Sequence, residues 1–523
     1  MHSNLAWVLH YPKEDNQVSE FITQLGYFGE AIGSAWSGAN LLIIAGAVLL
    51  GLIVGAIPGL TGTMALALLI NITYGMSTSA AVAFMLGTYV GAVSGGLFSA
   101  VMLNIPGTPN AAATALDGYP LALQGKGGKA RFGGILASCL GTLLSCVIMM
   151  LATPFISNIA LKFGKWELFL LSVFGITICG NLSVDSTPLK GWIGGFIGFF
   201  FAMIGVDGLY NGARFIWIPE LTSGVTLIPA LIGLFGIAEV LTVLQDRTPI
   251  KISESMGTIL PDKEEFKSLM KPVFRSTLIG CAIGAIPGAG EDIAAWLSYS
   301  VGKARSKAKE LFGRGSFEGV SCSETANNAC IPGAMIPMLT LAIPGSTQAA
   351  MFLAALNLHG VQPGPMLTLK DPSFMYVVGL TLVIAAVIMF IIALFLTKPM
   401  TKILQVNRKI LMPIIVVLTV VGAYASRSTL FDVKLMLAFG VLGYILRKAN
   451  IPLAPITLGL ILGGTADTSF RQALSLGNGS IIPLLSRTVG NILIAVVAFT
   501  LISGAIKTIK ATKKEIMSRE ERT

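Results

Sequence analysis

Glu291 and Asp292 directly follow Gly290, and Glu324 stands just ahead of Asn327-Asn328, all in otherwise apolar stretches. A carboxylate in such surroundings is costly to keep charged, and inside a membrane it marks a path for cations or protons. These three acids are the expected coupling site, binding sodium or relaying a proton. The competing explanation is a loop acid facing water. Asp117, Asp467 and Arg471 are weaker candidates of the same kind.

A second set of residues suits the opposite charge. Proline precedes glycine at Pro58-Gly59, Pro106-Gly107, Pro287-Gly288 and Pro344-Gly345. Proline removes a backbone donor and clashes with the preceding turn, so each pair interrupts a helix. In hydrocarbon the freed backbone groups must be met by protein or water. The new N-terminus of a half-helix offers unpaired N–H groups and partial positive charge, a seat for a carboxylate. Uncharged polar groups flank the breaks: Thr61 and Thr63; Asn104, Thr108 and Asn110; Ser346, Thr347 and Gln348; with Asn327 and Asn328 beside the acid. Such groups hold an anion and still release it. Gly59, Gly62, Gly107, Gly288, Gly290 and Gly345 are expected to let the backbone approach the ligand. For any one Pro-Gly pair alone, a plain kink or loop turn competes.

The breaks come in matched pairs. Gly55-Ala-Ile-Pro-Gly59 returns as Gly284-Ala-Ile-Pro-Gly288, and Asn104-Ile-Pro-Gly-Thr108 is answered by Ala342-Ile-Pro-Gly-Ser346, in the same order and at similar spacing. That is the mark of an internal duplication. Charge then orients the halves. In the first, residues 72–79 between the two elements carry no charge, while Lys126, Lys129 and Arg131 follow them. In the second, Lys303, Arg305, Lys307, Lys309 and Arg314 lie between the elements, and only Lys370 follows soon after. Basic loops stay cytoplasmic, so the repeats are expected to be inverted, as in many secondary transporters.

Composition supplies the solvent. The chain is 54% hydrophobic and 12% charged, where a soluble domain carries roughly a quarter charged residues. Apolar runs at 41–55, 135–154, 377–396 and 481–503, with shorter ones at 192–206 and 227–244, point to an all-α polytopic membrane protein. About twelve transmembrane helices are expected, some of them discontinuous or re-entrant. The expected organisation is a non-cytoplasmic or interfacial segment (1–39), a first repeat (40–244), a cytoplasmic amphipathic linker (245–272), a second repeat (273–480), and a last span with a basic cytoplasmic tail (481–523). Asp262-Lys-Glu-Glu265 reads as a capping box opening the linker helix, which could lie on the headgroup surface. Lys13, Glu14, Asp15 and Glu20 occupy the place where a signal peptide would need an apolar core. Gly51, Gly55 and Gly59, and Gly87, Gly91 and Gly95, read as close helix packing.

The net charge of +10 sits in short loops and the tail, the positive-inside pattern, so no nucleic-acid partner is expected. The cysteines form no CxxC pair, and His2, His10 and His359 are scattered, so neither a zinc site nor another cofactor is expected beyond the coupling ion. There is no Walker A loop, zincin helix or nucleophile elbow, which argues against an enzyme or ATPase.

At these residues the chain resembles the tripartite tricarboxylate transporter large-subunit (TctA) family. The resemblance is carried by residues 55–62; by Leu103-Asn-Ile-Pro-Gly107 through Ala113-Thr-Ala-Leu-Asp-Gly-Tyr-Pro120; by residues 284–299; and by Glu324-Thr-Ala-Asn-Asn-Ala329 through Ile336-Pro-Met-Leu-Thr-Leu-Ala-Ile-Pro-Gly345 to His359-Gly-Val-Gln-Pro-Gly-Pro365. It implies a permease of the bacterial inner membrane, driven by an ion gradient. It also implies a small four-span membrane subunit (TctB-like) and a periplasmic solute-binding protein (TctC-like) that delivers citrate or related carboxylates. Inverted repeats with broken helices favour an elevator-type motion. An intramembrane enzyme using Glu291, Asp292 or Asp117 would instead turn over substrate in detergent, and an anion channel would pass larger currents.

Overall fold

The computed structural model describes residues 16–58, 60–182, 187–207, 209–245, 257–404 and 408–520. Gly59, residues 13–15 and the start of the linker lie outside them. The described chain is helical apart from loops and one short ladder pairing Gly205–Val206 with Ala213–Arg214.

Hydroxyl caps open the central helices. α1 (Gly38–Ala56) starts at Ser37, α2 (Gly62–Leu69) at Thr61 and α3 (Thr78–Leu103) at Ser77; each side chain accepts a first-turn N–H at 3.1–3.3 Å. These caps satisfy donors that the helix itself cannot. α3 ends at Asn104 in the left-handed conformation, φ 54°, because Pro106 disfavours helical backbone at the residue before it. α4 (Ala112–Leu123) and α5 (Gly127–Ala160) follow.

After a linker helix α6 (Lys263–Met270) the order returns as α7 (Val273–Gly284), α8 (Gly290–Arg305), α9 (Phe317–Leu341), α10 (Thr347–Leu358) and α11 (Phe374–Leu396). α9 ends at Ala342 with φ 59°, again two residues before a proline. Asparagine tolerates that conformation, whereas for alanine it costs roughly 1–2 kcal/mol.

In each half the two breaks lie against each other. A Cβ on Gly107 would stand 2.3 Å from Gly55 O, and one on Gly345 would stand 2.0 Å from Gly284 O. Backbone packing by itself requires glycine at both places. The Gly-x-x-x-Gly stripes do what their spacing predicts. A Cβ on Gly51 would meet Thr88 O at 2.4 Å and one on Gly91 would meet Val48 O at 2.4 Å, so α1 and α3 touch backbone to backbone.

Contacts at the helix ends fix chain direction. Beyond α4, Gln124 Nε2 donates to Arg314 O at 2.8 Å, just ahead of α9. At the other end Thr73 Oγ1 lies 2.9 Å from His359 Nε2, before α3 and after α10. Thus α3–α4 runs from the His359 end to the Arg314 end, and α9–α10 runs the other way. Basic residues gather at the Arg314 end. Lys126 and Lys129 reach Glu265 at 3.0 and 2.6 Å. Arg131 is buried rather than in a loop, and its Nη1 donates to Thr397 O at 2.9 Å.

The linker helix has its capping box: Asp262 accepts from Glu264 N and Glu265 N, and Glu265 Oε2 accepts from Asp262 N at 3.0 Å. Burial alone would raise the Glu265 carboxyl, but hydrogen bonds from Lys129, Asp262 N and Lys126 hold it at about 2. Leu269 is buried against Gly133, so α6 docks on protein through that face and leaves Phe266 exposed.

Residues 81–103 of α3 and 317–340 of α9 are buried without interruption. Among the described residues, six helices are long and apolar enough to cross a membrane: Gly38–Ala56, Thr78–Leu103, Gly127–Ala160, Leu227–Gln245, Phe374–Leu396 and Thr488–Lys510. That is fewer than the dozen expected. One reason is α9, which carries Glu318, Glu324, Asn327 and Asn328; enclosed on every side, it needs no apolar face toward lipid.

Candidate functional site

The two enclosed helices meet through polar side chains. Ser94 Oγ of α3 donates to Asn328 Oδ1 of α9 at 2.8 Å, and Asn328 Nδ2 donates to Asn327 Oδ1 at 2.8 Å. Asn327 Nδ2 reaches Asn110 O at 3.5 Å, just ahead of α4. One turn back on α9, Glu324 Oε1 accepts from Thr114 Oγ1 of α4 at 2.6 Å, and Oε2 accepts from Ser138 Oγ of α5 at 3.0 Å. Asn110 Nδ2 donates to Val93 O at 3.2 Å. Its Oδ1 and the buried Thr108 hydroxyl have no hydrogen-bond partner. Leaving such groups unsatisfied costs about 1–3 kcal/mol each, which stability alone does not explain.

A second cluster gathers the broken ends. Glu291, in the first turn of α8 and 1% exposed, accepts from the Tyr89 hydroxyl of α3. That hydroxyl is also 2.6 Å from Ser346 Oγ, which caps α10 by accepting from Ala349 N at 3.1 Å. Gly290 N donates to Gly345 O at 3.1 Å, tying the start of α8 to the break before α10. Thr63 Oγ1 and Thr347 Oγ1 are 2.8 Å apart, so α2 of the first half meets α10 of the second. Thr347 in turn donates to Gln348 Oε1 at 2.8 Å, and a Cβ on Gly62 would lie 3.3 Å from Gln348 Nε2.

Of the expected residues, Thr61, Gly62, Ser346, Thr347, Gly288, Gly290 and Glu291 lie at or beside this second cluster. Thr108, Asn110, Asn327, Asn328 and Glu324 belong to the first. Gly288 and Gly290 have φ of 70° and 74°, conformations glycine adopts without strain. Asp292 is half-buried beside Glu291. Asn104 is exposed, and its visible part is to end α3. Neutral groups are the donors to both glutamates, chiefly the hydroxyls of Tyr89, Thr114 and Ser138 with the Asn327 amide beside Glu324, and no described lysine, arginine or histidine forms an ion pair with either. Neutral hydrogen bonds contribute about 1 kcal/mol each, against several for a buried charge. Such an arrangement points to function rather than stability.

The weaker candidates are structural. Asp117 Oδ1 accepts from Gly313 N, Gly315 N and Ser316 N at 2.8–3.0 Å and so fastens α4 to the start of α9. Asp467 and Arg471, on α12 (Leu453–Leu476), join a loop network: Arg471 Nη1 donates to Asp207 Oδ2 at 2.6 Å, and Arg214 Nη1 to Asp467 Oδ2 at 3.0 Å. The hydrogen bond from Arg471 holds the Asp207 carboxyl well below the usual range. Sequence reasoning missed Tyr89, Ser94 and Ser138, since a lone tyrosine or serine in an apolar helix reads as packing. Thr114 was within reach, because it lies one turn ahead of Gly118 in a quoted motif.

Comparison with known proteins agrees with this architecture. The profile of the family described as "Tripartite tricarboxylate transporter TctA family" matches residues 41–458, which include every break. An Agrobacterium vitis protein described as "Uncharacterized 52.8 kDa protein in TAR-I ttuC' 3'region" is 32% identical over 481 residues, 91% of this chain and 95% of that protein. A second protein of that organism, "Uncharacterized protein in TAR-II ttuC' 3'region", is 29% identical over 242 residues, 46% of this chain and 100% of its own length. No solved structure matches. The chain belongs to the tripartite tricarboxylate transporter TctA family and is a multi-pass membrane protein of that transport system.

Proposed function

We propose that this chain is the translocating subunit of a binding-protein-dependent secondary transporter that takes up tricarboxylates or related organic carboxylates on a sodium or proton gradient. The observation that carries the proposal is the meeting of α2, α8 and α10 at Glu291, Ser346, Thr347 and Thr63, with the Glu324–Asn328 cluster on the neighbouring helix. Helix N-termini and neutral donors suit a carboxylate, and the glutamates suit a coupling cation or proton. We place the substrate at the α2 and α10 N-termini, with Asn104 at its margin. Glu291, Asp292 and Glu324 would handle the ion.

The opposite directions of α3–α4 and α9–α10 support two inverted repeats, and the enclosed helices support a larger number of crossings than apolarity alone counts. The basic end, with Arg314, Lys126 and the linker, is cytoplasmic by the positive-inside rule, and the same rule places the basic tail on the cytoplasmic side of the bacterial inner membrane. A four-span TctB-like subunit and a periplasmic TctC-like binding protein complete the system, and the cycle is alternating access of elevator type rather than enzymatic turnover or channel flow. The test is uptake of labelled carboxylates by proteoliposomes holding all three subunits, with sodium or proton gradients imposed. Uptake should need a gradient and fall in Ser346→Ala and Asn328→Ala. Uptake on ATP alone, with both gradients collapsed, would defeat the mechanism.

A further inference from the structure

Four groups from three helices form one line of hydrogen bonds. Ala349 N of α10 donates to Ser346 Oγ, Ser346 Oγ lies 2.6 Å from Tyr89 Oη, and Tyr89 donates to Glu291 at the start of α8. All three side chains are buried, with exposures of 1%, 0% and 1% for Ser346, Tyr89 and Glu291. A tyrosine hydroxyl has one proton to give. If Tyr89 gives it to Glu291, the contact with Ser346 is made by the serine proton. Every hydroxyl then points toward the carboxylate, which is the polarity suited to a charged glutamate.

The same atoms fit the reverse polarity equally well. A protonated Glu291 donates to Tyr89 Oη, Tyr89 donates to Ser346 Oγ, and the Ser346 proton turns outward. The second lone pair of Ser346 Oγ keeps its bond from Ala349 N in both states. One proton is added, on Glu291, and both hydroxyls rotate while keeping their own protons. In this state Ser346 presents a donor at the α10 N-terminus, beside the first-turn N–H groups that an α-helix leaves without internal partners.

We propose that Tyr89 and Ser346 form a reversible relay through which a carboxylate arriving at the α10 N-terminus drives uptake of one proton by Glu291. This presupposes the carboxylate transport proposed above and names the proton as the coupling ion at this position. Two negative charges close together in a low-dielectric interior repel strongly, so the anion and an ionised Glu291 disfavour each other. The titratable groups around Glu291 do not offset that repulsion: Tyr89 comes from α3, Cys330 from α9 with Cys281 of α7 behind it, and Asp292 from α8 itself. A metal cation at the same carboxylate oxygen would have to displace the Tyr89 proton. Tyr89 is thus a positioning residue, acting on substrate only through Ser346.

The test uses the complete three-subunit complex with citrate as the probe, between about pH 8 and 9.5, where citrate carboxyls are essentially all ionised. Binding in a lightly buffered solution with a pH-sensitive dye should consume about one proton per citrate. Affinity should weaken by up to about tenfold per pH unit as pH rises past the Glu291 titration, as linkage of one proton requires. Tyr89→Phe and Glu291→Gln should each flatten that slope, and the double variant should be no flatter than either. Ser346→Ala cuts the line at a second point and should also flatten it, which covers the case of Tyr89→Phe failing to fold. A Tyr89→Phe protein that loses affinity equally at every pH while keeping the slope would overturn the relay. So would wild-type binding that responds to sodium but consumes no proton. Absence of citrate binding and uptake in the wild type would instead sink the transport proposal itself.

Discussion

Four buried or half-buried acids in this molecule divide into two pairs by what surrounds them. Asp117 receives three backbone N–H bonds, and Asp207 receives arginines; both fasten one piece of chain to another. Glu291 and Glu324 receive hydroxyls from helices of the other half. Backbone N–H clusters and guanidinium groups stabilise a carboxylate strongly, whereas a hydroxyl can turn round and accept when the acid is protonated. Acids of the first pair build the molecule, and acids of the second are the ones proposed above to handle the coupling ion.

Substitution separates the pairs most sharply at Asp117. Asp117→Asn should weaken its grip on the α9 start and cost about 3 kcal/mol, seen as a fall of several degrees in the heat-aggregation midpoint of the detergent-solubilised protein. Uptake per folded molecule should change little. Glu324→Gln should do the reverse: a midpoint within about 2 °C of wild type, with carboxylate uptake down at least about tenfold, or roughly 1.4 kcal/mol. If Glu324→Gln lowered the midpoint as much as Asp117→Asn, the division would fail. Asp262→Ala removes only a cap on the exposed linker and should cost about 1 kcal/mol, with transport kept.

Acid should give the smallest effect. Asp207 has its folded value depressed, so its stabilising contribution is complete above the unfolded value of about 4 and disappears as pH falls through the lower folded one. The difference in midpoint between wild type and Arg471→Gln should therefore be constant from about pH 5 to 8 and shrink below about pH 4. A difference that shrank near neutral pH would place another titrating group in that network.

Much of this was legible in the residues. Pro106 and Pro344 follow helix ends, as their disruptive geometry favours, although Pro332 and Pro337 lie inside α9, and the box at Asp262–Glu265 is a local device that needs no tertiary partner. The breaks and the cap could be read directly. Tyr89 could not, because its meaning comes from Glu291, some two hundred residues away in sequence. The backbone packing that requires glycine at Gly107 and Gly345 was not legible, since a sequence does not show which backbone lies opposite a glycine. Length and apolarity mark six candidate spans among the described residues, and α9, which carries Glu318, Glu324, Asn327 and Asn328, is not one of them.

The complete enclosure of α9 also bears on how the protein is made. A lone helix carrying Glu318, Glu324, Asn327 and Asn328 is a poor substrate for the insertion machinery, at roughly 2.5–3.5 kcal/mol for a charged residue near the bilayer centre. The hydroxyls that receive Glu324 sit on α4 and α5, which emerge from the ribosome well before it. In synthesis order, the partners that Glu324 needs are thus available before α9 itself is made.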